Sequence, residues 1–275
     1  MKIGKYEFNN NKTYIVGILN LTPDSFYDGG SLFVDDRIDV DKTLRKVGDM
    51  IDDGADIIDI GGESTRPHAR PISADEELSR IIPALTKIRA EYDIPISIDT
   101  YKPIVARTVI DEGADMINDI GFLPNEMLDV LSDNPKITYC LMHNRYTMIA
   151  DRADNTITID ELNDEIAFKI NKLLSRGVER DRIIIDPGLG FGKSNADDIM
   201  ILANIDKLKQ HNLPILIGAS NKSCIDYILP SDKSDRLEGT LAVTAHSVYH
   251  NVNFIRVHDV KSNRRTIDMI SAMRG

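Results

Sequence analysis

Cysteine is scarce in this 275-residue chain: Cys140 and Cys224 are the only two. Both lie in or beside apolar segments and read as reduced, buried thiols, not as a disulfide framework. No Cys/His spacing fits a zinc site. His246 and His250 could share a helix face, but Ser247 stands where a zinc-protease motif needs Glu, so the pair reads as ordinary helix surface. Apolar runs long enough to cross a bilayer are missing, which excludes a protein built on membrane-spanning helices. The opening Met1-Lys2-Ile3-Gly4-Lys5 lacks the apolar core of a signal peptide, so the expected location is cytoplasmic. An excess of positive charge is also missing. The formal net charge is -11, which argues against a nucleic-acid partner. An anionic small substrate stays open, because a local cluster of Arg, Lys and His can outweigh distant acidic charge in a cleft. No linker, low-complexity tract or composition break divides the chain, so residues 1–275 read as one domain.

What the chain does have is a recurring unit: a short apolar strand, a loop, then a longer amphipathic stretch. Eight candidate strands stand out, at Tyr14–Leu19, Asp56–Ile60, Pro95–Ile98, Asp115–Asn118, Lys136–Leu141, Arg182–Ile185, Pro214–Ile217 and Asn253–Val257. Each is short, β-branched and flanked by Gly, Asp or Pro, as buried parallel strands are. Helical patterns lie between them, including Ile38–Asp52, Ala74–Glu91, Ile159–Ser175 and Asp197–Gln210. A local echo supports one repeated unit: the run from Gly54 to Gly61 is answered by the run from Gly113 to Gly121, each with a glycine ending a helix and a polar residue at the far end of a strand. The pattern predicts an α/β fold, a single (β/α)8 TIM barrel, with an open doubly wound sheet as the alternative. The segment before Tyr14 is expected to plug the barrel's bottom.

Polar residues collect at the strand ends. Asn20, Asp99, Asn118-Asp119, His143, Asp186, Arg256 and His258 all follow or close a candidate strand, on the side where barrel enzymes carry their sites. Asp99, Asn118 and Asp186 offer acceptors suited to a flat heterocycle with adjacent N–H donors, and Met142 and Phe191 offer apolar contacts to its faces. Arg256 and His258 leave their strand on one side and, with Arg66, Asn20 and Thr65, form a group that could hold a diphosphate. Asn20 also suits Mg2+ shared with substrate phosphates. A salt bridge to a nearby carboxylate is the competing reading of Arg256. The loops Thr22–Gly30 and Gly61–Pro67 are long and polar, as covers of a site are. Gly188-Leu189-Gly190-Phe191-Gly192-Lys193-Ser194 imitates a nucleotide-binding loop but is one residue too short before Gly-Lys-Ser, which argues against an ATPase. No nucleophile with a paired base is present; Cys224 follows Ser223 alone.

These motifs resemble dihydropteroate synthase. The resemblance runs from Gly17-Ile18-Leu19-Asn20-Leu21-Thr22-Pro23-Asp24-Ser25-Phe26, through Gly61-Gly62-Glu63-Ser64-Thr65-Arg66-Pro67, Ser97-Ile98-Asp99-Thr100, Asn118-Asp119-Ile120, Leu141-Met142-His143 and Asp186-Pro187-Gly188-Leu189-Gly190-Phe191, to Arg256-Val257-His258-Asp259-Val260. It implies a (β/α)8 barrel, a homodimer, acting in folate synthesis. The family joins (7,8-dihydropterin-6-yl)methyl diphosphate to p-aminobenzoate and releases diphosphate. Carried onto this chain, Asp99, Asn118, Asp186 and Lys222 would hold the pterin. Arg256 would stack near its ring and, with His258, Asn20 and Thr65, meet the diphosphate, with Asn20 as the Mg2+ contact. Thr65, Pro67, Phe191, Lys222 and Ser223 would surround p-aminobenzoate, where sulfonamides compete, and Lys222, Arg66 and Asp99 are the expected catalytic groups. The chain departs from the family in reading Ser220-Asn221-Lys222-Ser223 where Ser-Arg-Lys-Ser is usual, and in carrying His68 where Gly is common. Two other readings compete: a pterin-dependent methyltransferase and a non-catalytic pterin-binding paralogue.

Overall fold

Eight short strands in one parallel sheet organise the chain, and every one falls on a segment whose sequence predicts it. In the computed structural model, which describes residues 1–23, 32–34, 37–64, 70–146, 156–218, 220–232 and 235–274, they are β1 (Tyr14–Asn20), β2 (Ile57–Gly61), β3 (Ile96–Asp99), β4 (Met116–Asp119), β5 (Thr138–Met142), β6 (Ile183–Asp186), β7 (Leu216–Ile217) and β8 (Phe254–Val257). Neighbours in sequence pair in parallel from β1 to β6, and β8 pairs with both β1 and β7. A bridge between Ile185 and Ile215 joins β6 to β7 and closes the ring. The result is the (β/α)8 barrel.

Side-chain parity sorts each strand into two faces, since residues two apart point the same way. Ile15, Ile58, Ile96, Ile117, Tyr139, Ile183 and Ile255 face outward and are buried under the surrounding helices. Val16, Ile57, Met116, Cys140, Ile184, Leu216 and Phe254 face inward and form a separate apolar cluster in the lower lumen. Ile3, within an antiparallel hairpin of Lys2–Ile3 and Tyr6–Glu7, and Phe8, just after it, pack into the same cluster. The N-terminal segment therefore plugs the barrel as its sequence suggested. One step further along each strand the lumen turns polar: Asp59 follows Ile57, Asn118 follows Met116, Asp186 follows Ile184 and Arg256 follows Phe254.

Helices Ala74–Glu91 and Ile159–Ser175 keep the bounds read from sequence, each begun by a side-chain cap: Ser73 accepts from Glu76 N at 3.1 Å, and Thr158 forms a capping box with Glu161. The first helix starts slightly later than expected, at Val40, where Asp39 caps it. The stretch Asp197–Gln210 is a correction. It splits into an α-helix, Asn195–Ala203, and a 3-10 turn, Ile205–His211. Asn204 between them donates its side-chain amide to Met200 O at 2.8 Å, which competes with continued helix. Gly54 and Gly113 end their helices at φ 101° and 98°, so the echoed unit is structural. Cys140 and Cys224 are both buried free thiols.

Candidate active site at the barrel mouth

The polar layer of the lumen opens into a cavity at the C-terminal ends of the strands. Seven of the residues singled out in the sequence line it together: Asp99, Asn118, Met142, Asp186, Phe191, Lys222 and Arg256. Ile120, Gly188, Leu189 and Gly218 complete the wall. Asp99, Asn118 and Asp186 converge because Asp99 and Asp186 close their strands and Asn118 stands next to last on its own, each on an inward-facing step. Asp99 and Asn118 are register partners on β3 and β4.

Asn118 Oδ1 and Asp99 Oδ1 are buried without a hydrogen-bond partner in the protein. Buried acceptors left open cost about 1–3 kcal/mol each, so the pocket favours a ligand that brings N–H donors. Asp186 Oδ1 accepts from Gly188 N at 2.7 Å. That close turn requires glycine: a Cβ on Gly188 would stand 2.0 Å from His143 O, and its φ is 65°. Lys222 Nζ stands 4.4 Å from the centre of the Phe191 ring, a cation–π contact at the cavity wall.

Burial dominates the electrostatics. It pushes Asp99 up to about 7, opposed by the Arg256 charge and reinforced by Asp59 and Glu77. Burial also raises Asp186 and lowers Lys222, the latter against the pull of Asp186. Arg256 loses solvation too, but Asp59 and Asp99 outweigh that loss and hold its pKa above the ordinary guanidinium value. Its Nε donates to Asp59 Oδ2 and its Nη2 to Asp99 Oδ2, both at 2.6 Å. The salt bridge that competed with the ligand reading thus exists, and it lies inside the cavity wall.

Other residues fall at the edge or outside. Asn20 ends β1 with its Oδ1 beside Gly61 and Asp99, 3.7 Å from where a Gly61 Cβ would stand. His258 Nδ1 lies 2.9 Å from Ser220 Oγ, and Ser223 Oγ donates to Asn195 Oδ1 at 2.7 Å; neither lines the cavity. Thr65, Arg66, Pro67 and His68 lie outside the described residues. His143, grouped with the rim in sequence, is turned away from the cavity, wholly buried with Nε2 2.6 Å from Glu165. Asp119 also points outward, accepting from Gly121 N, Leu123 N and Tyr139 Oη. Lys193 of the imitation nucleotide loop donates to the carbonyls of His143, Gly188 and Phe191, at 3.0, 2.8 and 3.2 Å. It is a clamp on the loop that carries Phe191, not a phosphate ligand. Asp59 was missed in sequence as a site residue; the available signal was one acid inside the apolar run Ile57-Ile58-Asp59-Ile60.

A family model described as pterin binding enzyme matches residues 16–258. The chain is 42% identical to a dihydropteroate synthase of Clostridium beijerinckii over 272 residues, covering 98% of this chain and 97% of that one. The chain belongs to the dihydropteroate synthase family of pterin-binding enzymes. A solved dihydropteroate synthase from Clostridium difficile, crystallised in the presence of pteroic acid, is similar with a TM-score of 0.86 and 40% identity, covering 99% of this chain and 98% of that one. Another, from Yersinia pestis with a sulfonamide drug complex, has a TM-score of 0.89 and 31% identity, covering 100% and 98%. A third, from Xanthomonas albilineans with 4-aminobenzoic acid, has a TM-score of 0.87 and 32% identity, covering 97% and 94%. Dihydropteroate synthases are transferases, and no helix among the described residues is long and apolar enough to cross a membrane.

Proposed function

We propose that this synthase condenses (7,8-dihydropterin-6-yl)methyl diphosphate with p-aminobenzoate to give 7,8-dihydropteroate and diphosphate, in the cytoplasm and as a homodimer. The observation that carries the site assignment is the convergence of Asp99, Asn118, Asp186 and Lys222 on one cavity. Open acceptors on Asn118 and Asp99, with the Asp186 carboxylate, suit the N–H edge of an aminopyrimidinone, and Lys222 is a donor for its carbonyl or ring nitrogen. Met142 and Phe191 bound the ring faces, and Phe191 with Lys222 begins the p-aminobenzoate subsite that Ser223, Thr65 and Pro67 complete.

In the reaction the methylene C–O bond breaks with its electron pair leaving on diphosphate. The amine lone pair forms the new C–N bond as one N–H proton is lost. Arg66 and Arg256 are the cations for the departing charge, with His258 beside them. The carbon left behind is cationic and conjugated with the pterin, so the neighbouring Asp99 carboxylate stabilises it. Positioning supplies the rest, and no enzyme nucleophile is needed. Asn20 offers a neutral oxygen at the mouth, which fits Mg2+ held mainly by the substrate's own phosphates. When bound, that ion supplies neutralisation of the leaving diphosphate.

The test is diphosphate release with the pterin diphosphate, p-aminobenzoate and Mg2+, with mass detection of 7,8-dihydropteroate. Product that requires all three establishes the activity. Pterin binding without turnover supports the non-catalytic paralogue, and methyl transfer to an acceptor without diphosphate release supports the methyltransferase.

A further inference from the structure

We propose that Asp59 is a positioning residue that sets the polarity of the pterin pocket by fixing the side-chain amide of Asn118. Asp59 is completely buried on β2, one inward step below the rim, and does not line the cavity. A single oxygen, Oδ2, receives two donors: Arg256 Nε at 2.6 Å and Asn118 Nδ2 at 3.3 Å. The second contact decides the amide's orientation. A carboxylate offers acceptors only, so Asn118 must turn its nitrogen toward Asp59 and its oxygen the other way. Turned over, the amide would set oxygen against oxygen in a site where both side chains are buried.

Asn118 Oδ1 is accordingly buried and unpartnered. The pocket therefore presents an acceptor at this point and demands a ligand N–H there. A ligand with a carbonyl in that place would leave two acceptors unpaired, which sites of this kind reject strongly. Asp59 also shares the Arg256 guanidinium with Asp99, so the same carboxylate braces the cation. Asp59 touches no ligand in this arrangement; it acts through Asn118 and Arg256. The inference rests on the pterin-pocket assignment above.

The experiment is calorimetric titration of the full-length protein with 6-hydroxymethylpterin, alongside steady-state kinetics. Asp59→Leu removes the acceptor that orients Asn118 and is expected to weaken pterin binding by about tenfold or more, the scale of one lost well-placed hydrogen bond in a dry site. The KM for p-aminobenzoate stays near wild type. Asn118→Asp sets two carboxylates together and loses pterin binding. The double exchange Asp59→Asn with Asn118→Asp rebuilds the contact with donor and acceptor interchanged. Because one oxygen of Asp59 takes both donors, the amide introduced on β2 has to rotate so that its oxygen keeps Arg256 Nε and its nitrogen meets the new acid on β4. That variant is expected to recover part of the binding that Asn118→Asp loses. Wild-type affinity in Asp59→Leu overturns the proposal, and so does a double exchange that binds no better than Asn118→Asp alone. Should Asp59→Leu fail to fold, the exchange pair decides by itself. Asp186→Ala is the control: loss of pterin binding there keeps the pocket assignment standing whatever Asp59 does, and retained binding brings down the assignment and this inference together.

Discussion

Arg256 reaches across the lumen to Asp99, its Nη2 donating to Asp99 Oδ2 at 2.6 Å while its Nε holds Asp59 at the same distance. The pocket is thus braced by the cation proposed for the diphosphate. Removing that cation leaves two buried carboxylates facing each other, a change that typically costs about 3–5 kcal/mol. Arg256→Ala is expected to weaken binding of the pterin diphosphate far more than binding of 6-hydroxymethylpterin, measured side by side by calorimetry. Equal losses for the two ligands would confine Arg256 to the ring and remove it from the diphosphate site.

Asp99 gives the fold a signature in pH. Burial holds its proton up to about 7 in the folded protein, with Arg256 opposing and Asp59 and Glu77 adding to the rise. In the unfolded chain the proton leaves near about 3.9. The folded state therefore binds the extra proton between those values, and the stability Asp99 contributes is full below the lower one and lost as pH rises through the upper one. Asp99→Asn lacks this titration. The difference in Tm, variant minus wild type, should move toward the variant from about pH 5 to about pH 8. A difference that stays constant over that range would show that Asp99 does not titrate there.

Lys193 holds three loop carbonyls at once, and burial lowers its own pKa to about 7. Lys193→Met keeps the aliphatic stem and takes the side-chain donor from His143 O, while Gly188 O keeps Phe191 N at 3.1 Å and Phe191 O keeps Arg145 N at 3.3 Å. A stranded carbonyl costs about 1–3 kcal/mol where it is buried. The expected result is a Tm drop of several degrees, at roughly 2–4 °C per kcal/mol for a chain of this size, with a raised KM for p-aminobenzoate through the displaced Phe191. Unchanged kinetics would detach the clamp from the site.

Asn221 sits at φ 59°, in the left-handed region that asparagine tolerates better than most residues. Its backbone N donates to Thr240 Oγ1 at 3.3 Å, and its carbonyl accepts from Arg236 at 3.2 Å, so the turn is held from both sides. Restoring the family's arginine with Asn221→Arg should lower Tm slightly, since the left-handed backbone costs a longer side chain about 1–2 kcal/mol. The same change should lower the KM for p-aminobenzoate by giving its carboxylate a guanidinium partner. A KM that does not move would mean the side chain at 221 points away from the subsite.

The barrel was legible because each strand is a run of β-branched residues between glycines and prolines, and all eight such runs became strands. Five of the seven cavity residues were legible for the same reason, since Asp99, Asn118, Met142, Asp186 and Arg256 fall at the ends of those runs; Phe191 and Lys222 lie in loops beyond them, and Lys222 was legible only through the family resemblance. Asp59 was harder. Its run and that of Asn118 are the two copies of the echoed unit, and the residues stand at the same place in each. What sequence could not convey is that equivalent places on strands β2 and β4 meet across the lumen, 59 residues apart in the chain. His143 misled because nearness to a strand end was read without parity: Cys140 and Met142 face inward, so the next residue turns outward. Period alone also could not reveal that Asn204 would divide a helix.

The apolar floor built by Ile3, Phe8, Phe254 and their neighbours has a consequence for traffic. A lumen sealed below has one doorway, so everything that enters must leave by the same path. On the proposed seating, with the pterin ring deepest against Asp186 and Asn118, the ring has to arrive before p-aminobenzoate fills the approach. The finished molecule then blocks that doorway until it departs, and the next cycle waits on its exit. Turnover in this architecture is queued by a closed end that touches neither substrate.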